Sequence, residues 1–220
     1  MLEENYRDVK ESLTHTTRLI AVSKFKPKED IERLYAMGQR DFGENRVQEL
    51  IEKQEALPSD IRWHFIGKLQ TNKVKYLTHK VHIIHSLDSL PLAKEIEKQF
   101  SKIDGIAHCL IQVNIGNDEN KSGIEPHLVS DFIESMKPFS HIKILGFMTI
   151  LPIVDSEKTR SLFEEMKGIF DQFKTLELGG KLPQNVTIQE LSMGMSEDYL
   201  DAQNCGATLV RVGSKIFGNR

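Results

Sequence analysis

Lys24 closes the apolar run "LIAVSK" (19–24), and an amine at the end of a buried-looking strand has two uses. It is either a solvated strand end or a nucleophile toward a carbonyl group. Two loops near the C-terminus read "SMGMSEDYL" (192–200) and "VGSKIFG" (212–218). Each sets a glycine, which lets backbone N–H groups approach a ligand, beside a hydroxyl; that pairing suits a phosphate. Ser196 has a second reading as the N-cap of a helix starting at "EDYL", whose acids weigh against a nearby anion. Arg211 adds a guanidinium between the loops. The chemistry offered is condensation of an amine with a phosphorylated carbonyl compound.

Other chemistries find little support. No carboxylate pair suggests glycoside hydrolysis, and no Ser-His-Asp order stands out. His79, His82 and His85 are spaced by three across a loop and strand, so they cannot share one face. With no cysteine or carboxylate completing a set, no metal site is expected. His64 reads as a packed or hydrogen-bonding residue rather than a base.

The elements that must position these groups alternate. Strand-like runs are "LIAVSK" (19–24), "RDFGE" (40–44), "RWHFIG" (62–67), "HIIHSL" (82–87), "HCLIQVNIG" (108–116), "KILGFMTI" (143–150), "TIQELSMG" (187–194) and "TLVRVGS" (208–214). Between them lie amphipathic patterns such as Leu128, Phe132 and Met136, or Phe163, Met166, Ile169, Phe170 and Phe173. A further amphipathic helix, with Leu2, Tyr6, Val9 and Leu13 on one face, precedes the first strand. Strict alternation predicts parallel strands joined by right-handed crossovers. Eight units in 220 residues predict a single-domain α/β chain over 1–220, a (β/α)8 TIM barrel with an extra N-terminal helix. A doubly wound open sheet would want a glycine-rich turn after the first strand, and "SKFKPKED" has no glycine.

On such a barrel the chemistry lies at the C-terminal strand ends, with phosphate sites after strands seven and eight. Those ends carry Lys24, Asn45, Met148, the 192–196 run and the 211–214 run. A phosphorylated aldehyde held at strands seven and eight would meet Lys24, and pyridoxal phosphate is the obvious candidate. Burial in the barrel mouth, with Lys26 as a neighbouring like charge, would lower the lysine's pKa toward the reactive form.

Composition restricts the partners. The formal net charge is −3 and no long basic run occurs, so nucleic acid and anionic membrane are not expected. No apolar run approaches membrane-spanning length, and the acidic opening "MLEENYRDVKESL" is neither a signal nor a transit peptide. The two cysteines, Cys109 and Cys205, lie in no paired motif, which favours a reduced, cytoplasmic setting.

Eight pieces in order resemble the pyridoxal phosphate homeostasis protein family, single-domain relatives of the alanine racemase N-terminal barrel. They are "AVSK" (21–24), "FGENRVQE" (42–49), "WHFIGKLQTNK" (63–73), "HSLD" (85–88), "NKSGI" (120–124), "GFMTI" (146–150), "SMGMSEDY" (192–199) and "VRVGSKIFG" (210–218). The resemblance implies pyridoxal 5'-phosphate bound as an imine on Lys24, with phosphate contacts from Ser192, Gly194, Ser196, Gly213 and Ser214. It implies Arg211 near the pyridine nitrogen, Asn45 by the ring substituents, and Met148 in the pocket. Met193 and Lys215 depart from the family's usual residues, away from the expected chemistry.

An arginine at the pyridine nitrogen makes the ring a weaker electron sink. The related racemases also take a tyrosine base from a second domain. The resemblance therefore implies a protein that buffers or delivers the cofactor, with no catalytic residues, transient contacts to apo-enzymes and a monomeric state. Two enzyme readings stay open: a pyridoxal phosphate-dependent amino acid racemase, and a barrel enzyme on a phosphorylated sugar.

Overall fold

The computed structural model describes residues 1–116 and 122–218. Asn120 and Lys121 of the "NKSGI" piece lie outside the described residues. Eight parallel strands close into a barrel in sequence order. They are β1 (Arg18–Val22), β2 (Asp41–Glu44), β3 (Arg62–Phe65), β4 (Ile83–Leu87), β5 (Ala107–Gln112), β6 (Ile142–Met148), β7 (Val186–Ser192) and β8 (Leu209–Val212). The helices are α1 (Leu2–Ser12), α2 (Lys28–Ala36), α3 (Val47–Ala56), α4 (Leu90–Ser101), α5 (Val129–Ser135), α6 (Ser156–Leu178), α7 (Tyr199–Asn204) and α8 (Ser214–Phe217). Alternation is not strict: a single 3-10 segment, Thr71–Tyr76, joins β3 to β4. Among the described residues no helix is long and apolar enough to cross a membrane.

The period of two in the strands separates two apolar clusters. Leu19 and Ala21 join the large core between strands and helices, whereas Ile20 faces the other way. With Ile83, Leu110, Met148 and Leu209 it forms a small cluster, the apolar filling of the barrel. Leu145 and Ile150 pack against this cluster, and polar residues fill much of the remaining interior. Asp41, His64, His85, Ser192 and Arg211 come from five strands, and each is at most 5% exposed. Tertiary position, not composition, therefore makes this core half apolar and half hydrogen-bonded.

That interior predicts acid sensitivity. Burial pushes His64 below its ordinary value, His85 well below it, and His82 down to about 4; burial lowers His108 as well. The unfolded chain therefore binds more protons once the pH drops through about 6.5. Stability from these neutral imidazoles is complete above that pH and is lost as the pH falls toward about 4. Burial alone would raise Asp41, but Arg62 and His64 hold it below the usual carboxylate range, so its contribution is lost at still lower pH. We expect the thermal midpoint to decline steadily between about pH 6.5 and 4, and less steeply in His82→Gln. A flat profile over that range would contradict this.

Candidate cofactor site

One cavity of about 690 Å³ opens at the C-terminal ends of the strands, within the usual size of a small-molecule site. Lys24, Asn45, Ser196, Arg211, Gly213 and Ser214 all line it. Residues from the ends of β1, β2, β7 and β8 are thus brought together. The other three residues expected at the site do not line the cavity. Met148 is fully buried in the barrel filling, two residues before Ile150, which does line the cavity. Ser192 lies a layer deeper, hydrogen-bonded to Arg211 and His85. Gly194 serves the backbone: its φ is +90°, and a Cβ there would sit 2.5 Å from the Ala202 methyl. Its carbonyl accepts from the Arg211 N–H.

Lys24 lies two residues past the end of β1 and is exposed, so the barrel does not bury it as expected. The turn that carries it is held from behind. Ser23 donates its hydroxyl to Glu44 Oε1 at 2.6 Å, and the Phe25 N–H donates to Glu49 Oε1. Lys53 Nζ donates to the Ser23 carbonyl, Glu44 and Glu49, all within 2.8 Å. Glu44 is fully buried, and desolvation raises its pKa against the pull of Lys53. Phe25 takes a φ of +62° and turns the chain at this point. Sequence reasoning missed this clasp, although Glu49 and Lys53 sit four apart on α3, the spacing of a helical ion pair. Lys26 does not act simply as a free like charge, because its Nζ donates to the carbonyls of Phe217 and Gly218.

Gly67 lets the end of β3 approach the Asn45 backbone; a Cβ there would lie 2.2 Å from the Asn45 carbonyl oxygen. The Oδ1 of Asn45 is buried and has no hydrogen-bond partner among the described residues. On the opposite wall, Ser196 Oγ accepts from the N–H groups of Gly213 and Lys215, at 3.1 and 3.4 Å. The two loops predicted to cradle a phosphate therefore touch at the start of α8. Ser196 is not a helix cap: α7 begins at Tyr199, and Asp198 Oδ1 accepts from the Met195 N–H instead.

Arg211 is 4% exposed and is held by neutral acceptors, Ser192 Oγ at 2.7 Å and the Thr149 carbonyl at 2.8 Å. Burial lowers its guanidinium to about 10, with Asp198 acting in the opposite sense. Among the described residues it forms no ion pair, so its charge is directed at the cavity. Tyr199 is buried, its hydroxyl 3.0 Å from Ser12 Oγ on α1, and it does not line the cavity. No group of three histidine, cysteine or acidic side chains suited to a metal occurs among the described residues.

An anion cradle, a buried guanidinium, an unsatisfied amide oxygen and an exposed amine around one cavity suit a phosphorylated heteroaromatic aldehyde. The family model "Alanine racemase, N-terminal domain" matches residues 1–220. A pyridoxal phosphate homeostasis protein of Aquifex aeolicus is 43% identical over 205 residues, 92% of this chain and 87% of that one. PipY of Synechococcus elongatus PCC7942, solved without PLP, is similar with a TM-score of 0.91 and 34% identity, covering 99% of this chain and all of that one. The same protein with PLP bound gives a TM-score of 0.87 and 32% identity, with the same coverage. An alanine racemase of Clostridium difficile shares the fold alone: its TM-score is 0.77 at 18% identity, with 100% of this chain and 59% of that one covered.

Proposed function

The chain belongs to the alanine racemase N-terminal domain family and, within it, to the pyridoxal phosphate homeostasis proteins, and from that premise we propose how it works. It binds pyridoxal 5'-phosphate and takes part in intracellular homeostasis of that cofactor. The observation that carries this reading is the meeting of Lys24, Arg211 and the two loops around one cavity.

The surroundings of each residue support the part we assign it. The Ser214 N–H at the start of α8, with the hydroxyls of Ser196 and Ser214, would hold the phosphate; Gly213 lets the chain pass close to Val22, where a Cβ would lie 3.2 Å from the Val22 carbonyl oxygen. Arg211, which lines the cavity, would donate toward the pyridine nitrogen and, being cationic, would keep that nitrogen unprotonated. The ring hydroxyl would donate to Asn45 Oδ1, which has no partner among the described residues. Bound pyridoxal phosphate supplies an aldehyde carbonyl, the electrophile that an amine needs. Lys24 is the amine we assign to it, held in place by the Ser23, Glu44 and Lys53 clasp. Ser192 and the Gly194 carbonyl hold Arg211, and Met148 packs in the filling of the barrel.

We assign no catalytic turnover to the site. Removal of an amino acid's α-proton needs a positioned base, typically a 10²–10⁴-fold effect. Tyr199 faces α1 rather than the cavity. The reading is tested with the loaded protein, an apo-enzyme that requires the cofactor, and L-alanine. Pyridoxal phosphate should pass to the apo-enzyme, while L-alanine stays unracemised over hours and Tyr199→Phe changes neither result. Racemisation at ordinary enzymatic rates, lost in Lys24→Ala, would replace this function with that of a racemase.

A further inference from the structure

A continuous hydrogen-bonded chain crosses the barrel from its floor to the cavity. Arg62 donates through Nε and Nη2 to the two carboxylate oxygens of Asp41, at 2.8 and 2.5 Å. Asp41 Oδ1 lies 3.0 Å from His64 Nε2, and His64 Nδ1 lies 2.9 Å from His85 Nε2. His85 Nδ1 lies 3.0 Å from Ser192 Oγ, which accepts from Arg211 Nη1 at 2.7 Å. His64, His85 and Ser192 are fully buried, so each proton in the chain must find its acceptor within it.

Only one order of protons satisfies both ends. A guanidinium can only donate, so Ser192 Oγ accepts from Arg211. The single hydroxyl proton of Ser192 must then go to His85 Nδ1, its other partner. His85 consequently carries its proton on Nε2 and donates to His64 Nδ1. His64 likewise carries its proton on Nε2 and donates to the ionised Asp41. The reverse order would aim a bare His64 nitrogen at a carboxylate oxygen and leave the buried Ser192 proton without an acceptor. Burial, which lowers the pKa of both imidazoles, agrees with two neutral rings.

We infer that His64, His85 and Ser192 are positioning residues that act through Arg211: the chain turns the Ser192 proton away, so that its oxygen can only accept from the guanidinium. This fixes one edge of the guanidinium with a neutral partner and leaves its charge for the ligand's ring nitrogen. An acidic partner in the place of Ser192 would hold Arg211 as firmly but neutralise it. The inference rests on the reading that pyridoxal phosphate occupies the cavity with its ring nitrogen toward Arg211.

The proton order can be measured without ligand. Two-bond proton–nitrogen correlation spectra at neutral pH should show His64 and His85 protonated on Nε2 and bare on Nδ1; an Nδ1 proton on either would overturn the inference. The role is tested by comparing affinity for pyridoxal phosphate with affinity for its deaza analogue, in which a C–H replaces the ring nitrogen. The wild-type protein should prefer pyridoxal phosphate, and Ser192→Ala should reduce that preference about tenfold or more, the scale of one hydrogen bond to a charged group. Ser192→Thr, which keeps the hydroxyl, should restore it, and His85→Leu should behave like Ser192→Ala. A ratio unchanged in Ser192→Ala, or equal losses for both ligands, would overturn the role. If the wild-type protein binds both ligands equally, the placement of Arg211 fails and the role fails with it. If it binds neither, the proposed function itself is at fault.

Discussion

Lys24→Ala is expected to abolish covalent retention of pyridoxal phosphate while leaving the fold intact. Lys24 is exposed and makes no hydrogen bond or ion pair among the described residues. Its truncation should therefore change the unfolding free energy by no more than about 0.5 kcal/mol. The clasp behind it, Ser23 with Glu44, Glu49 and Lys53, is built without the Lys24 side chain and should survive. Borohydride reduction of the loaded wild-type protein, followed by peptide mapping, should place the adduct on the peptide containing Lys24. In the variant, reduction should fix only background amounts. Lys26 and Lys68 line the same cavity, so they provide the critical comparison. An adduct found mainly on either, in the wild-type protein, would reassign the amine. Lys26 is the poorer candidate because its ammonium already donates to the carbonyls at the end of α8.

The second large effect concerns the phosphate. Ser196→Ala combined with Ser214→Ala should weaken binding of pyridoxal phosphate by roughly 10²–10⁴-fold, since charge-assisted hydrogen bonds contribute about 1.5–3 kcal/mol each. Binding of unphosphorylated pyridoxal should stay nearly unchanged. The geometry gives Ser196 a double part. Its hydroxyl bridges the N–H groups of Gly213 and Lys215, so the loops after β7 and β8 are tied together by the same atom that faces the cavity. Ser196→Thr keeps that hydroxyl and should retain most of the affinity. Isothermal titration with both ligands decides the matter: equal losses for phosphorylated and unphosphorylated forms would place the phosphate elsewhere.

Much of the architecture was legible because it is local. The eight apolar runs are all strands of the barrel, and of the stripe on α6 Phe163, Met166 and Phe173 are buried while Ile169 and Phe170 are half-buried. Errors occur where a neighbouring turn intervenes. The run through Lys24 leaves the sheet at Val22, because Phe25 turns the chain with a positive φ. Leu128 is 43% exposed, although Phe132 and Met136 of the same pattern are buried. It belongs to a 3-10 turn before α5, whose different pitch carries it off the buried face.

The candidate site divides along the same line. Residue type and spacing were enough to single out Lys24, Arg211 and the two glycine–hydroxyl loops, which the structure brings around one cavity, because a strand's period of two and a loop's turn residues are properties of short segments. Depth was not available in that way. Ser192 and Ser196 are four residues apart in one motif, yet one hydroxyl is sealed in the barrel and the other faces the cavity. How deep an inward residue lies depends on the stagger of all eight strands in the closed sheet, here altered by register shifts between β4 and β5, β5 and β6, and β6 and β7. The same closure brings Asp41, His64, His85 and Ser192 from four strands into hydrogen-bonding distance. No local pattern links these residues, so their proton order is decided by the tertiary structure alone.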